Sequence, residues 1–342
     1  MTDEPATVGR GPVPAPCFLV GSERSGTTLL RLMLDHNPDI AFDKEFDFAV
    51  TMVSDTGRLP PVQKYVNWVV TVRGMSFEVD PSLSYLELVH DFLQQKRAGS
   101  GGKAHVGATV HRKFERLRFL WPTARYIHLV RDPRDVARSV VQKGWAGNVY
   151  HAAEFWLDAE RSWDTLAPHL SDDRAIEVRY EDLVTEPERT LTAICRFIGV
   201  PYSLRMLEYS ADAPQYPPPD PRLVAQWRTK LEPRDVALVE IRTGTLLESR
   251  GYVASEYSRP GIGRMRHELL LNAGRVKRLA TRAHTFGPAL VTLDVIARRT
   301  HLAPLESYTR IRMNAIEQRM VDEEAAGART PSPNIAPSSR ER

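Results

Sequence analysis

Arg24 is set up by its neighbours to act on an anion, because it stands inside Gly21-Ser22-Glu23-Arg24-Ser25-Gly26, a glycine-bounded loop followed at once by Thr27 and Thr28. A short apolar run, Cys17 to Val20, precedes the loop, and a helical pattern from Thr27 to His36 follows it. Strand, turn and helix in that order aim the first helical amides into the loop, where they hold phosphate or sulfate oxygens. The spacing Gly21-x-x-x-x-Gly26 fits a nucleotide loop, yet Thr27 and Thr28 stand where a nucleoside-triphosphate loop carries Lys and then Ser or Thr. Arg24 supplies the cation instead, and a guanidinium can fork onto two oxygens of one anion.

A second strand-to-helix passage carries Arg131 and Ser139. Ile127 to Val130 predicts the strand, Asp132 suits an N-cap and Pro133 a first helical turn. Ser139 falls about two turns later, so it and Arg131 meet one phosphate only if the helix packs back on the strand end. Together, Gly-Ser-Glu-Arg-Ser-Gly-Thr-Thr and the later Arg-Asp-Pro-Arg-Asp-x-x-x-Ser resemble the two signature elements of PAPS-dependent sulfotransferases. A third segment, Ile176-Glu-Val-Arg-Tyr180-Glu-Asp-Leu-Val184 with the helical pattern from Pro187 to Val200, is similar to that family's Arg-Tyr-Glu-Asp-Leu strand and next helix. The three elements stand in the family's order, roughly 105 and 50 residues apart, which is far more specific than any one alone.

The resemblance implies that Gly21, Arg24, Ser25, Gly26, Thr27 and Thr28 cradle the 5′-phosphosulfate of the co-substrate PAPS (3′-phosphoadenosine 5′-phosphosulfate), and that Arg131 and Ser139 hold its 3′-phosphate. Tyr180 is a candidate for adenine contact or for half-buried packing, and Trp227 for folding over the nucleotide or for helix packing. For the base, Leu34 to Glu45 aligns without a gap on the tyrosylprotein-type branch, where a Glu at this distance from the loop Arg takes the acceptor's proton, so Glu45 is the first candidate. His111, in Thr109-Val110-His111, is the alternative, matching the His of a Lys-Thr-His segment in the small-molecule branch. The Lys of that segment is missing, and Lys103, His105 or Arg112 would have to replace it near the leaving group. Asp47 stands where the tyrosylprotein branch has a substrate-binding Arg, which disfavours an acidic peptide acceptor. The implied activity is sulfuryl transfer to a hydroxyl of a small-molecule, carbohydrate or lipid acceptor, with no metal required. A catalytically inactive PAPS-fold binding protein and a P-loop kinase are the alternatives.

Positioning these residues takes an α/β fold, a P-loop-like parallel sheet flanked by helices, with a C-terminal helical extension. Residues 1–15 read as a disordered leader, 16–258 as the sulfotransferase domain, 259–320 as a basic helical extension and 321–342 as a disordered tail. Within the domain, 42–102 reads as a helical substrate lid, with helices near Val62 to Val72 and Tyr85 to Arg97 and with Phe46, Phe48, Trp68, Phe77 and Tyr85 facing an acceptor. Asp212 to Pro221 holds five prolines in ten residues and is expected to cross the surface near the site. From Gly261 on there are 14 Lys and Arg against 8 Asp and Glu, whereas the whole chain of 342 residues has 46 against 43. This basic part could lie on an anionic membrane, pack on the domain or form an oligomer contact; the oligomeric state is not readable. A nucleic-acid partner is disfavoured, since the excess charge is not on an aromatic-bearing sheet face. Two cysteines, Cys17 and Cys195, form no disulfide framework or metal set, and no long apolar span or signal-peptide pattern is present, which points to the cytoplasm.

Overall fold

The computed structural model describes residues 13, 15–70, 77–259, 261–300 and 302–329. The expected leader falls almost wholly outside them, as do 330–342 of the expected tail.

Five parallel strands form the centre: β1 (Cys17–Val20), β2 (Ile40–Glu45), β3 (His105–Val110), β4 (Arg125–Val130) and β5 (Ala175–Arg179), in the order β2-β3-β1-β4-β5. β1 is buried along its whole length, as its unbroken apolar run requires of a strand covered on both faces. Its side chains alternate: Phe18 and Val20 enter one apolar layer, Cys17 and Leu19 the other. α1 (Thr27–Asp35) leads from β1 toward β2 on one side, while the chain leaving β4 travels to β5 on the other. The two directions part between β1 and β4, the crevice where ligands of such sheets bind.

The remaining helices are α2 (Val62–Trp68), α3 (Tyr85–Gly99), α4 (Leu117–Leu120), α5 (Pro133–Gln142), α6 (Val149–Leu166), α7 (Tyr180–Thr185), α8 (Pro187–Ile198), α9 (Trp227–Lys230), α10 (Pro233–Thr243), α11 (Leu246–Ser249), α12 (Arg264–Phe286), α13 (Pro288–Thr300) and α14 (Ala303–Arg329). α5 begins as its sequence predicts, with Asp132 accepting the Arg134 N–H at 2.9 Å and Pro133 in the first turn. α3 starts on a capping box in which Ser84 and Glu87 bond each other's backbone.

The segment expected as a substrate lid is built differently. Phe42 to Glu45 complete β2, and α3 is the crossover between β2 and its neighbour β3. A crossover helix must cover the sheet face. Accordingly Leu88, Val89, Phe92 and Leu93 are fully buried, and Phe46, Phe48 and Tyr85 pack in the same core rather than face an acceptor. Phe46 stands 4.6 Å from Phe48, Phe48 5.8 Å from Phe92, and Tyr65 4.6 Å from Tyr85. Burying one such side chain stabilises by roughly 1.5–3 kcal/mol. The predicted helix from Val62 ends at Trp68, and residues 71–76 lie outside the described ones.

The basic extension is three helices, of which α12 docks on α6 through Gly274, Leu270 and His267. α14 continues to Arg329, so Asp322 to Arg329, expected to be irregular, are helical. Cys17 and Cys195 are buried free thiols whose pKa values burial pushes up, to about 12 and about 11.

His128 on β4 is fully buried, stacked 4.2 Å from Trp163, with Glu160 at 3.3 Å from Nε2 and Glu177 at 3.2 Å from Nδ1. Arg250 closes the network on Glu160 at 2.6 Å. Burial alone lowers the His128 pKa, but the two carboxylates outweigh it and hold it above the ordinary 6.5. A folded value above the unfolded one gives stability that is complete below about pH 6.5 and lost as pH rises through the folded value. The melting temperature is therefore expected to fall across that rise in the native chain but not through this group in His128→Gln. Parallel Tm-against-pH curves for the two proteins would exclude the assignment.

Candidate active site

All five strand ends contribute a candidate residue on the same edge of the sheet. Arg24 follows β1, Glu45 ends β2, His111 follows β3, Arg131 follows β4 and Tyr180 follows β5. The parallel order brings to one edge what the sequence spreads over more than 150 positions.

The loop after β1 turns on two left-handed residues, Arg24 at φ 70° and Gly26 at φ 96°. Such a backbone costs a residue with a Cβ roughly 1–2 kcal/mol, so Arg24 is held in a strained conformation. That conformation delivers its Nε to Ser139 Oγ at 3.0 Å, joining the loop to α5 across 115 positions. α5 does pack back against the strand end, as the shared phosphate site requires. Arg131 Nη1 donates to the Arg24 carbonyl and Nη2 to the Leu223 carbonyl, each at 3.3 Å. Its guanidinium lies 3.9 Å from the centre of the Tyr180 ring. The other arginine of this motif, Arg134, turns inward to buried ion pairs with Asp132 at 2.7 Å and Glu240 at 2.8 Å.

Ser25 Oγ and Arg131 Nε are buried without a hydrogen-bond partner among the described residues. Buried donors are normally satisfied. These unpaired donors, one a hydroxyl and one on the Arg131 guanidinium that neighbours Arg24, fit an anion with several acceptor oxygens, which is what the phosphosulfate and 3′-phosphate of PAPS present. Burial pushes the Arg24 pKa down, Tyr216 opposes that, and like charge on Arg131 adds to it. Gly26 closes the cradle from below: a Cβ there would overlap the Tyr180 ring. Thr27 is buried at the start of α1 and Thr28 half-buried beside it. Tyr180, itself buried, thus supports the loop and Arg131 by packing. Trp227 is likewise a packed indole, 3.7 Å beneath the Arg134 guanidinium, with its backbone N–H on Asp135 at 2.8 Å. Burial pushes the Asp135 carboxyl up to about 6.

Of the candidate bases, Glu45 is exposed at the end of the edge strand, and its carboxylate has no hydrogen-bond or ion-pair partner among the described residues. It acts electrostatically on Arg31 of α1. His111 is buried, with Nδ1 2.9 Å from the Gly21 carbonyl. A carbonyl can only accept, so Nδ1 carries the proton and Nε2 is left bare in the neutral ring. Asp47 holds the exit of β3, its Oδ1 accepting the His111 and Arg112 amides at 3.0 and 2.8 Å.

Two proposed replacements for the missing Lys are at the wrong end of the sheet. Lys103 Nζ bonds the Asp35, Asn37 and Ile40 carbonyls, and His105 starts β3. Arg112 is at the correct end, paired with Glu23 at 2.7 Å. Trp145 and Tyr216 were not singled out by sequence reasoning. The Arg24 guanidinium lies 5.8 Å from the Trp145 ring, and Tyr216 arrives on the proline-rich stretch, pinned by Tyr209 Oη donating to the Pro217 carbonyl at 2.7 Å. An aromatic between the glycines of Lys143-Gly-Trp-Ala-Gly147, just after α5, was the available signal for Trp145.

A model of the sulfotransferase family matches residues 16–203. Protein-tyrosine sulfotransferase A of Caenorhabditis elegans is 23% identical over 202 residues, which cover 56% of this chain and 52% of that protein. The omega-hydroxy-beta-dihydromenaquinone-9 sulfotransferase of Mycobacterium tuberculosis (strain CDC 1551 / Oshkosh) is 26% identical over 150 residues, 39% of this chain and 37% of that protein. The chain spans about half the length of the tyrosine-directed relative. The sulfotransferase domain from the curacin biosynthetic pathway shares the fold, with a TM-score of 0.53 at 21% identity over 72% of this chain and 100% of that one. With the family model matching more than half of its residues and the two signature loops joined at the switch point of the sheet, the chain belongs to the sulfotransferase family.

Proposed function

We propose that the chain transfers the sulfuryl group of PAPS to a hydroxyl of a small-molecule, carbohydrate or lipid acceptor. The observation that carries this reading is the contact of Arg24 with Ser139 and of Arg131 with the Arg24 backbone, beside buried donors that lack partners. When bound, PAPS supplies the activated sulfuryl group. The amides of Gly26 to Thr28 and the Thr27 and Thr28 hydroxyls hold its phosphosulfate end, the Ser25 amide being used by the Ser22 carbonyl in the loop turn. Arg24, fixed in advance by Ser139 and by its own backbone, stabilises negative charge that develops there. Arg131 and Ser139 grip the 3′-phosphate, and a grip at both ends orients the donor toward the acceptor. Asp47, an acid committed to the amides after β3, stands where the tyrosylprotein branch has an Arg, which favours a non-peptide acceptor.

A thermal-unfolding scan tests the donor site without any acceptor. Adenosine 3′,5′-bisphosphate at 100 times its dissociation constant stabilises by roughly 2.7 kcal/mol. A clear rise in Tm is expected, absent in Arg131→Ala; a rise with ATP and Mg²⁺ alone would return the kinase reading.

Glu45 takes the acceptor's proton. Glu45→Gln is expected to lower kcat by roughly 10² to 10⁴ with the bisphosphate response intact. His111 is the second reading, favoured by the bare Nε2 beside the loop. Full activity in Glu45→Gln together with loss in His111→Gln would move the base there.

A further inference from the structure

α12 has two unlike sides. At about 100° per residue, Met265, Leu269, Val276 and Leu279 fall along one line of the helix, interrupted by the exposed Asn272, whose Oδ1 accepts from Arg275 Nη1 at 3.0 Å; the four are 79%, 61%, 68% and 47% exposed. Gly274 lies about half a turn round, on the side seated against α6, where a Cβ would stand 2.8 Å from His151 Cβ. On that inner side Asn148 Nδ2 donates to the Leu270 carbonyl at 2.8 Å, and Tyr150 and His267 share a hydrogen bond of 2.8 Å. The parent domain therefore already occupies the face opposite the apolar line. Exposed cations border that line: Arg264 and Arg275 about 80–100° to one side, Arg266 and Lys277 about 100–120° to the other. The one acidic residue of the helix, the exposed Glu268, lies about 60° from the line on the side of Arg264 and Arg275.

The geometry points to an anionic lipid bilayer as the surface on which the outer face of α12 docks. An apolar line with cations on both flanks suits a helix that lies in the interface, its apolar side sunk about 5–10 Å and its Arg and Lys reaching headgroup phosphates. A second copy of this chain would set the same cations against each other, and a nucleic acid would leave the apolar line in water. Among the described residues no helix is long and apolar enough to cross a membrane.

The same helix borders the donor site. Gly147 packs against Gly274, Lys277 and Arg278, and Trp145, two residues earlier, stands beside the Arg24 guanidinium. A docked α12 sets Arg24 one helix and one loop from the headgroups. The acceptor is then a hydroxyl of a membrane amphiphile. That statement about the acceptor rests on the sulfuryl-transfer reading, whereas the docking does not.

The test sediments the full chain with phosphatidylcholine vesicles, with and without about one third phosphatidylserine, in the absence of donor and acceptor. Binding is expected to the anionic vesicles, to weaken as salt is raised, and to be at least about tenfold weaker to the neutral ones. Leu269→Asp with Val276→Asp is expected to weaken it at least about tenfold while the Tm and the bisphosphate response stay unchanged, because both side chains are exposed. No sedimentation of the native chain, or equal sedimentation of the double variant, overturns the docking. A concentration-dependent dimer that the double variant dissolves, without vesicle binding, assigns the face to a second copy and also overturns it. Vesicle binding without any bisphosphate response keeps the docking and removes the sulfuryl-transfer reading instead.

Discussion

Arg24→Ala is expected to reduce kcat at least about 10²- to 10³-fold, the range for loss of one preorganised donor facing developing charge. The side chain reaches the site from a left-handed backbone, donates to Ser139 and lies over Trp145, so its position is set before any ligand arrives. Arg24→Lys is expected to recover little, because an ammonium cannot fork onto two oxygens while also holding Ser139. Neither change touches the Arg131 guanidinium, so the thermal response to adenosine 3′,5′-bisphosphate should persist in both. Arg24→Gly relaxes the left-handed backbone and serves as the strain control. Steady-state kinetics on any accepted hydroxyl compound decide the matter: turnover in Arg24→Ala within a fewfold of native would remove this residue from the chemistry.

Gly26→Ala is expected to lose the bisphosphate response and to destabilise the fold by roughly 2–4 kcal/mol, from two separable causes. One is the left-handed backbone at φ 96°, which any Cβ strains. The other is overlap with the Tyr180 ring, which cannot retreat because the Arg131 guanidinium lies on it at 3.9 Å. Shrinking the ring in Gly26→Ala/Tyr180→Leu should return the steric part and leave the backbone part. Urea unfolding of Gly26→Ala, Tyr180→Leu and the double variant separates them. Native stability and native nucleotide response in Gly26→Ala would mean that the loop does not need this glycine, and the cradle would have to be redrawn.

The strand ends, both loops and the starts of α1 and α5 were legible because they are local. Apolar runs, glycine spacing, an Asp-Pro helix start and an arginine in a loop each act over a few residues, and a similar order of motifs elsewhere supplied the family. How the expected lid packs was not legible for a related reason. Tyr85 to Gly99 has helical periodicity, but nothing local says that its apolar side covers the sheet between β2 and β3; that follows from the strand order. Lys103 and His105 looked near the site in sequence and lie at the opposite strand ends, since a six-residue parallel strand carries its first and last residues to opposite edges of the sheet.

By itself the sequence determined the chemistry on offer: an anion loop with Arg in place of Lys, a second arginine at a strand exit, and a carboxylate after the first helix. Tertiary structure alone decided which of these meet. It turned Arg134 into buried ion pairs, joined Ser139 to Arg24, bound His111 to the Gly21 carbonyl, and brought Trp145 and Tyr216 to Arg24. Apart from the local Arg134–Asp132 pair, those contacts join segments dozens of residues or more apart, and their geometry is set by the order of strands and the packing of helices on them, quantities that no local pattern of residues encodes.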